Sequence, residues 1–219
     1  MEKYIDILKK CILFEGVSHE DLPSMLLCLS ARVIKAKRGE YIFCEGDEAQ
    51  NVGILLKGEA QIIRDDFFGN RSILAMIGEG ELFGESFACA GVKELPVSVV
   101  ASADCEVMLI DCTRIMTTCT SSCRFHNQII HNLIHVLARK NLAFNKKIEI
   151  TSQRTTREKL MAYLLSQAKL NGADSFKIPF DRQELADYLG VERSAMSKEI
   201  GRMKADGLIE CDKSWFKLI

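Results

Sequence analysis

Arg193, Ser194, Ser197 and Lys198 lie within six residues of one another near the C-terminal end of the chain. At helical spacing they share one side, while Met196, Ile200 and Met203 take the other. Short hydroxyl donors and long cations on the first two turns of a helix are what a major-groove reader offers to base edges and phosphates. An arginine placed there makes two hydrogen bonds with guanine, worth about 1–3 kcal/mol of discrimination. Two further pairs have a spacing suited to ligand chemistry. Cys119 and Cys123, and His131 and His135, each stand four apart, which on a helix puts both side chains on one face for redox or metal chemistry. Unless a third ligand comes near, the cysteine pair reads first as ordinary helix residues and the histidine pair as polar residues on the solvent side of a coiled coil, so no metal site is expected.

The elements that hold the polar face of the first group are legible from their boundaries. Asp181 caps a helix, Glu184 is placed to return the hydrogen bond, and Leu185, Ala186 and Leu189 form its buried side up to a tight turn at Gly190. A second helix follows over residues 192–205, completing helix-turn-helix spacing. Residues 207–210 and 215–218, separated by 212–214, read as a terminal hairpin packed behind the helices as a wing. Upstream, an apolar face of Leu160, Met161, Leu164 and Leu165 ends near Asn171 and Gly172, so a smaller second domain begins near residue 155.

Neither Pro nor Gly occurs over residues 123–150, and Ile130, Ile134, Leu137, Asn141, Phe144 and Ile148 recur at alternating four- and three-residue steps. This is the seam of a coiled coil, with Asn141 placed to fix a two-stranded register. A neighbouring stripe of Ile129, Leu133 and Val136 lets the same helix pack on its own domain. Residues 31–109 have a different texture: short β-type runs punctuated by glycines at 39, 46, 53, 58, 69, 78, 80 and 84, which suggests a small antiparallel jelly roll. Short helices over residues 1–29 precede it.

Composition narrows the function classes. The chain of 219 residues is 47% hydrophobic and 27% charged, as expected of a folded globular protein. No apolar run approaches the roughly 18–20 residues that cross a bilayer, and the first residues lack a signal peptide's apolar stretch, so a cytoplasmic protein with no membrane partner is expected. Nine scattered cysteines suit a reducing compartment rather than a disulfide framework. The near-zero net charge hides an asymmetry: residues 1–138 carry 13 Lys/Arg against 19 Asp/Glu, and residues 139–219 carry 16 against 11. The basic half is the candidate polyanion binder. Gly78-Glu79-Gly80 is no dinucleotide fingerprint, no phosphate-binding Gly-Lys-Ser/Thr loop occurs, and no nucleophile, base and orienting acid can be placed together; no enzyme is expected.

Three segments in order carry a family resemblance: Leu56-Lys57-Gly58, then Gly80-Glu81-Leu82-Phe83-Gly84-Glu85, then Asp181-Arg182-Gln183-Glu184-Leu185-Ala186 through Gly190 to the following helix. Over nearly its full length the chain resembles the Crp/Fnr family of bacterial regulators. The resemblance implies a cyclic-nucleotide-binding-like β-roll, a long dimerisation helix and a winged helix-turn-helix reading a two-fold symmetric operator. It adds Arg182 and Gln183 to the DNA-binding set. It places the effector pocket at Gly84, Glu85 and Ser86, where backbone amides cradle phosphate and the glutamate holds the ribose in nucleotide-binding members, and at Leu95, Pro96 and Val97. Leu95 and Pro96 stand where those members have an arginine-serine pair, and without that cation the phosphate charge is poorly compensated, which argues against cyclic AMP. Cys11 and Cys28 are too sparse for the four-cysteine iron-sulfur cluster of oxygen-sensing members. Ser194 and Lys198 replace a glutamate and an arginine common in the family's recognition helix, so a different operator is expected, with a guanine in each half-site read by Arg193.

The expected architecture is therefore α+β: an effector-sensing antiparallel jelly roll with short leading helices over residues 1–122, a dimerisation helix over 123–150, and a winged helix-turn-helix over 151–219. The expected function is a homodimeric, allosterically controlled transcription regulator binding a palindromic duplex operator. Its effector is a small molecule or redox signal, with no resident cofactor, and RNA polymerase is a partner if the protein activates. The alternative is a ligand-sensing module acting on a protein partner.

Overall fold

The computed structural model describes residues 2–117 and 125–219. In chain order these form α1 (Ile5–Lys10), α2 (Leu22–Cys28), β1 (Arg32–Ala36), β2 (Tyr41–Phe43), β3 (Asn51–Lys57), β4 (Ala60–Asp65), β5 (Arg71–Ile77), β6 (Leu82–Phe83), α3 (Glu85–Cys89), β7 (Ser98–Ala101), β8 (Cys105–Asp111), α4 (Cys112–Met116), α5 (His126–Thr151), α6 (Thr156–Asn171), β9 (Ser175–Lys177), α7 (Arg182–Leu189), α8 (Arg193–Ala205), β10 (Ile209–Asp212) and β11 (Trp215–Leu218). The chain divides into two compact units: residues 1–64 with 74–141, and residues 65–73 with 142–219. The fold class is the expected one, α+β, with an antiparallel N-terminal roll, a long helix and a C-terminal helix-turn-helix.

In the first unit the strands order as β1-β8-β3-β6 and β2-β7-β4-β5. Strand β3 reads as an unbroken apolar run because both of its faces are covered. Val52, Ile54 and Leu56 join one buried cluster with α1, α2 and the start of α5, while Leu55 alternates into a second cluster with Val107, Leu109 and Phe83. Gly53 is required there: a Cβ would lie 2.2 Å from the Phe83 ring. The stripe Ile129, Leu133 and Val136 packs into the first cluster, as its spacing predicts.

In the second unit β9, β10 and β11 form a sheet in the order β10-β11-β9, with Trp215, Phe216 and Lys217 opposite Lys177, Phe176 and Ser175. The terminal hairpin matches the sequence reading, whereas β9 carries no local signal and owes its existence to this distant pairing. Helix α6 opens with a capping box between Thr155 and Glu158 and closes on Gly172 at φ 62°. Among the described residues no helix is long and apolar enough to cross a membrane.

Candidate nucleic-acid interface and effector site

The helix-turn-helix is set by local rules. Glu184 donates its backbone N–H to Asp181 Oδ1 at 2.9 Å, and Asp181 donates its own to Glu184 Oε2 at 2.8 Å. Gly190 ends α7 in the left-handed region at φ 62°, ψ 50°. Helix α8 then buries Met196, Ile200 and Met203 and leaves Arg193, Ser194, Ser197 and Lys198 exposed.

Three features of this surface were not legible beforehand. Glu192 is the N-cap of α8, accepting the N–H groups of Ser194 at 2.9 Å and Ala195 at 2.8 Å together with the Ser194 hydroxyl. The Ser194 hydroxyl, then the two amides, hold the Glu192 carboxyl below its ordinary range. Ser194 is thus already engaged, and Arg193, Ser197 and Lys198 are the more available donors. Arg157 of α6 braces the far side of α8, with Nε 2.5 Å from Glu199 Oε1 and Nη2 2.6 Å from Asp206 Oδ2. Arg182 turns into the fold: its guanidinium lies 5.0 Å from the Phe216 ring centre, Nη2 is 3.6 Å from Cys211 Sγ, and Nη1 is buried without a hydrogen-bond partner. Gln183 donates to Asp187 Oδ1 at 2.8 Å.

In the roll, Gly84 precedes α3 at φ 79°, and a Cβ there would lie 3.0 Å from the Asn51 carbonyl oxygen, so only glycine fits the turn without strain. Glu85 follows and is 1% exposed. Its Oε1 lies 2.8 Å from Lys140 Nζ of α5 and accepts the Ser86 hydroxyl at 3.2 Å, while Oε2 has no partner. Lys140 also donates to the Leu82 carbonyl. The carboxylate expected at an effector is therefore already paired with a cation from the long helix. Leu95 and Val97 are buried in the roll and Pro96 is exposed. A cavity of about 610 Å³ opens elsewhere in this unit, among Glu48, Gln50, Val92, Lys93, Cys112 and Met116, and shares none of the six effector-pocket residues.

The seam positions Ile134, Asn141, Phe144 and Ile148 are exposed in the single chain, and Ile130 and Leu137 are half-buried. His131 and His135 stack with ring centres 4.5 Å apart on an exposed side of α5. Among the described residues no three or more His, Cys, Asp or Glu side chains gather as a metal site. Cys119 and Cys123 lie outside the described residues.

Residues 33–121 match the model of the cyclic nucleotide-binding domain, and residues 158–218 match that of the Crp-like helix-turn-helix domain. The chain belongs to the Crp/Fnr family. It is 25% identical over 202 residues to the cyclic AMP receptor protein of Thermus thermophilus, spanning 92% of this chain and 89% of that protein. With the transcriptional activator FnrL of Cereibacter sphaeroides it shares 22% identity, over 78% of this chain and 69% of that one. Among solved structures, the c-di-GMP-responsive global regulator CLP of Xanthomonas campestris superposes with a TM-score of 0.75 at 19% identity, covering 92% of this chain and 99% of that chain. That last likeness concerns the fold alone. This Crp/Fnr protein is a transcription regulator with a cyclic nucleotide-binding domain and a helix-turn-helix domain. One of these two sequence relatives is named for cyclic AMP and the other for no nucleotide, so membership leaves this chain's own effector to be argued from residues.

Proposed function

We propose that this regulator binds a palindromic operator as a homodimer, one α8 per half-site, and that an effector other than cyclic AMP controls it through the roll. The observation that carries the reading is the division of α8, with Met196, Ile200 and Met203 sealed and Arg193, Ser197 and Lys198 free on the other side. The dimer is supported by α5, which buries Ile129, Leu133 and Val136 while Ile134, Phe144 and Ile148 stay exposed at coiled-coil spacing. Control through Glu85 is supported by its bond to Lys140: an effector that claims the carboxylate acts directly on α5. Loss of the family's arginine-serine pair at Leu95 and Pro96 argues against cyclic AMP; Lys140 is a cation at the carboxylate and not at that position. The proposed division of labour is sensing by residues 1–122, dimerisation by 123–150 and DNA binding by 151–219, in the cytoplasm.

Selection of bound duplexes from a random pool, followed by footprinting, tests this. The expected result is a two-fold symmetric site with a guanine in each half, protected by wild type and lost to Arg193→Ala, which keeps only weak, salt-sensitive binding. Equal footprints from variant and wild type, or an asymmetric site bound by a monomer, would overturn the reading.

A further inference from the structure

Of the cysteines whose surroundings are described, one pair is brought together by the fold although the residues stand 23 apart in sequence. Cys89, the last residue of α3, and Cys112, the first of α4, have their sulfurs 3.4 Å apart. We propose that Cys89 and Cys112 form a two-thiol oxidation site that takes a hydroperoxide and closes to a disulfide.

The two thiols differ in the way such chemistry requires. Cys89 is half-exposed and Cys112 is buried, yet Cys112 lines the cavity of about 610 Å³ beside Thr113, Met116 and Val92, which gives a small oxidant a path to the pair. The two sulfurs share a hydrogen bond in which either can donate; it holds the Cys89 thiol below its ordinary range, against the opposing effects of burial and of Glu85, and pushes Cys112 up. Cys89, the more exposed of the two, is the attacking sulfur and Cys112 the resolving one. Other thiols are placed differently. Cys11 is sealed in the core, where burial pushes it up to about 11. Cys105 is buried, donates to the Glu59 and Ala103 carbonyls at 3.1 Å each, and is raised by burial.

The Cys89 thiolate attacks the terminal oxygen of the hydroperoxide, the O–O bond breaks, and the alkoxide leaves as an alcohol after taking a proton. The Cys112 sulfur then attacks the sulfenic acid; the S–O bond breaks, and the hydroxide leaves as water with the proton that Cys112 gives up. Two thiols and one hydroperoxide become one disulfide, one alcohol and one water, and a low-molecular-weight thiol reverses the oxidation. A disulfide is about 2.05 Å long, so the sulfurs must close by a little over 1 Å, a shift within reach of two five-residue helices. The bond would tie α3, which begins with Glu85, to α4.

The test uses the reduced full-length protein and one equivalent of cumene hydroperoxide, followed by alkylation and tryptic mapping without reductant. The expected product joins peptide 72–93, which holds Cys89, to peptide 94–114, which holds Cys112 and Cys105. The link should survive Cys105→Ser and disappear in Cys112→Ser, where dimedone should instead label Cys89. Full alkylation of Cys89 and Cys112 in the oxidised wild type would overturn the proposal without reference to how any variant folds, and so would a link that survives in folded Cys112→Ser.

Discussion

A glutamate opens α3 and another caps α8, and the two are treated in opposite ways. On α3 Glu85 is buried and bound to Lys140, whereas on α8 Glu192 stays at the surface as a cap and the cations beside it remain free. On the proposed function, the regulator would read DNA with side chains it leaves to solvent and sense with one already committed inside the fold. A buried carboxylate with one cationic partner makes a stiff link whose loss is expensive, while an exposed arginine contributes nothing until its ligand arrives.

The largest expected effect tests the first half of that contrast. Lys140→Met leaves Glu85 charged, buried and unpaired, so it should lose about 3–5 kcal/mol in urea unfolding. Glu85→Gln should cost clearly less, because Lys140, partly exposed, can turn to water. Equal losses would mean that the pair is not the link described here. Next comes Arg193→Ala, which should leave stability unchanged within about 0.5 kcal/mol and remove about 1–3 kcal/mol of base discrimination per half-site, read as binding to matched and substituted operators.

A further pair of variants separates reading DNA from supporting the reader. Lys198→Ala should lower the slope of log affinity against log salt by about 1 per subunit if the lysine meets a phosphate. Arg182→Ala removes a cation from the Phe216 ring and should cost about 1 kcal/mol of stability with no change in that slope. A slope change in Arg182→Ala would return that residue to the DNA-binding surface.

The same contrast governs what the sequence made legible. The helix-turn-helix announces itself because each of its signals spans three or four residues: Asp181 to Glu184 for the cap, Gly190 for the turn, Met196 to Ile200 to Met203 for the buried side. The buried stripe of α5, Ile129, Leu133 and Val136, is legible for the same reason, by period. What went unread depends on distance. Strand β9 exists only opposite β11, Arg157 meets Glu199 42 residues away, and Lys140 reaches Glu85 across the fold. The family resemblance puts Arg182 among the DNA contacts, yet its guanidinium packs on an aromatic ring that only the folded wing supplies. The setting of Glu85 resists reading from sequence because its cationic partner comes from a helix far along the chain.

The smallest effect sharpens the comparison from the acid side. Glu106 of β8 accepts the Tyr4 hydroxyl at 2.7 Å and lies 3.2 Å from Lys3 Nζ; Tyr4 first, then Lys3, lower its carboxyl to about 2. Because the folded value lies below the unfolded one, its contribution is present above about 4.5 and is lost as pH falls through about 2. Protection factors at residues 3–10, which remove the intrinsic pH dependence of exchange, should therefore fall over that window in wild type, and Glu106→Gln should show the lower protection already at pH 6. The single tryptophan, Trp215, sits on the terminal hairpin of the other unit, so its fluorescence should follow the same acid curve in variant and wild type. A matching shift in Trp215 fluorescence would show that this clasp on the sensor governs the stability of both units, and the contrast between them would then fail at its weakest contact.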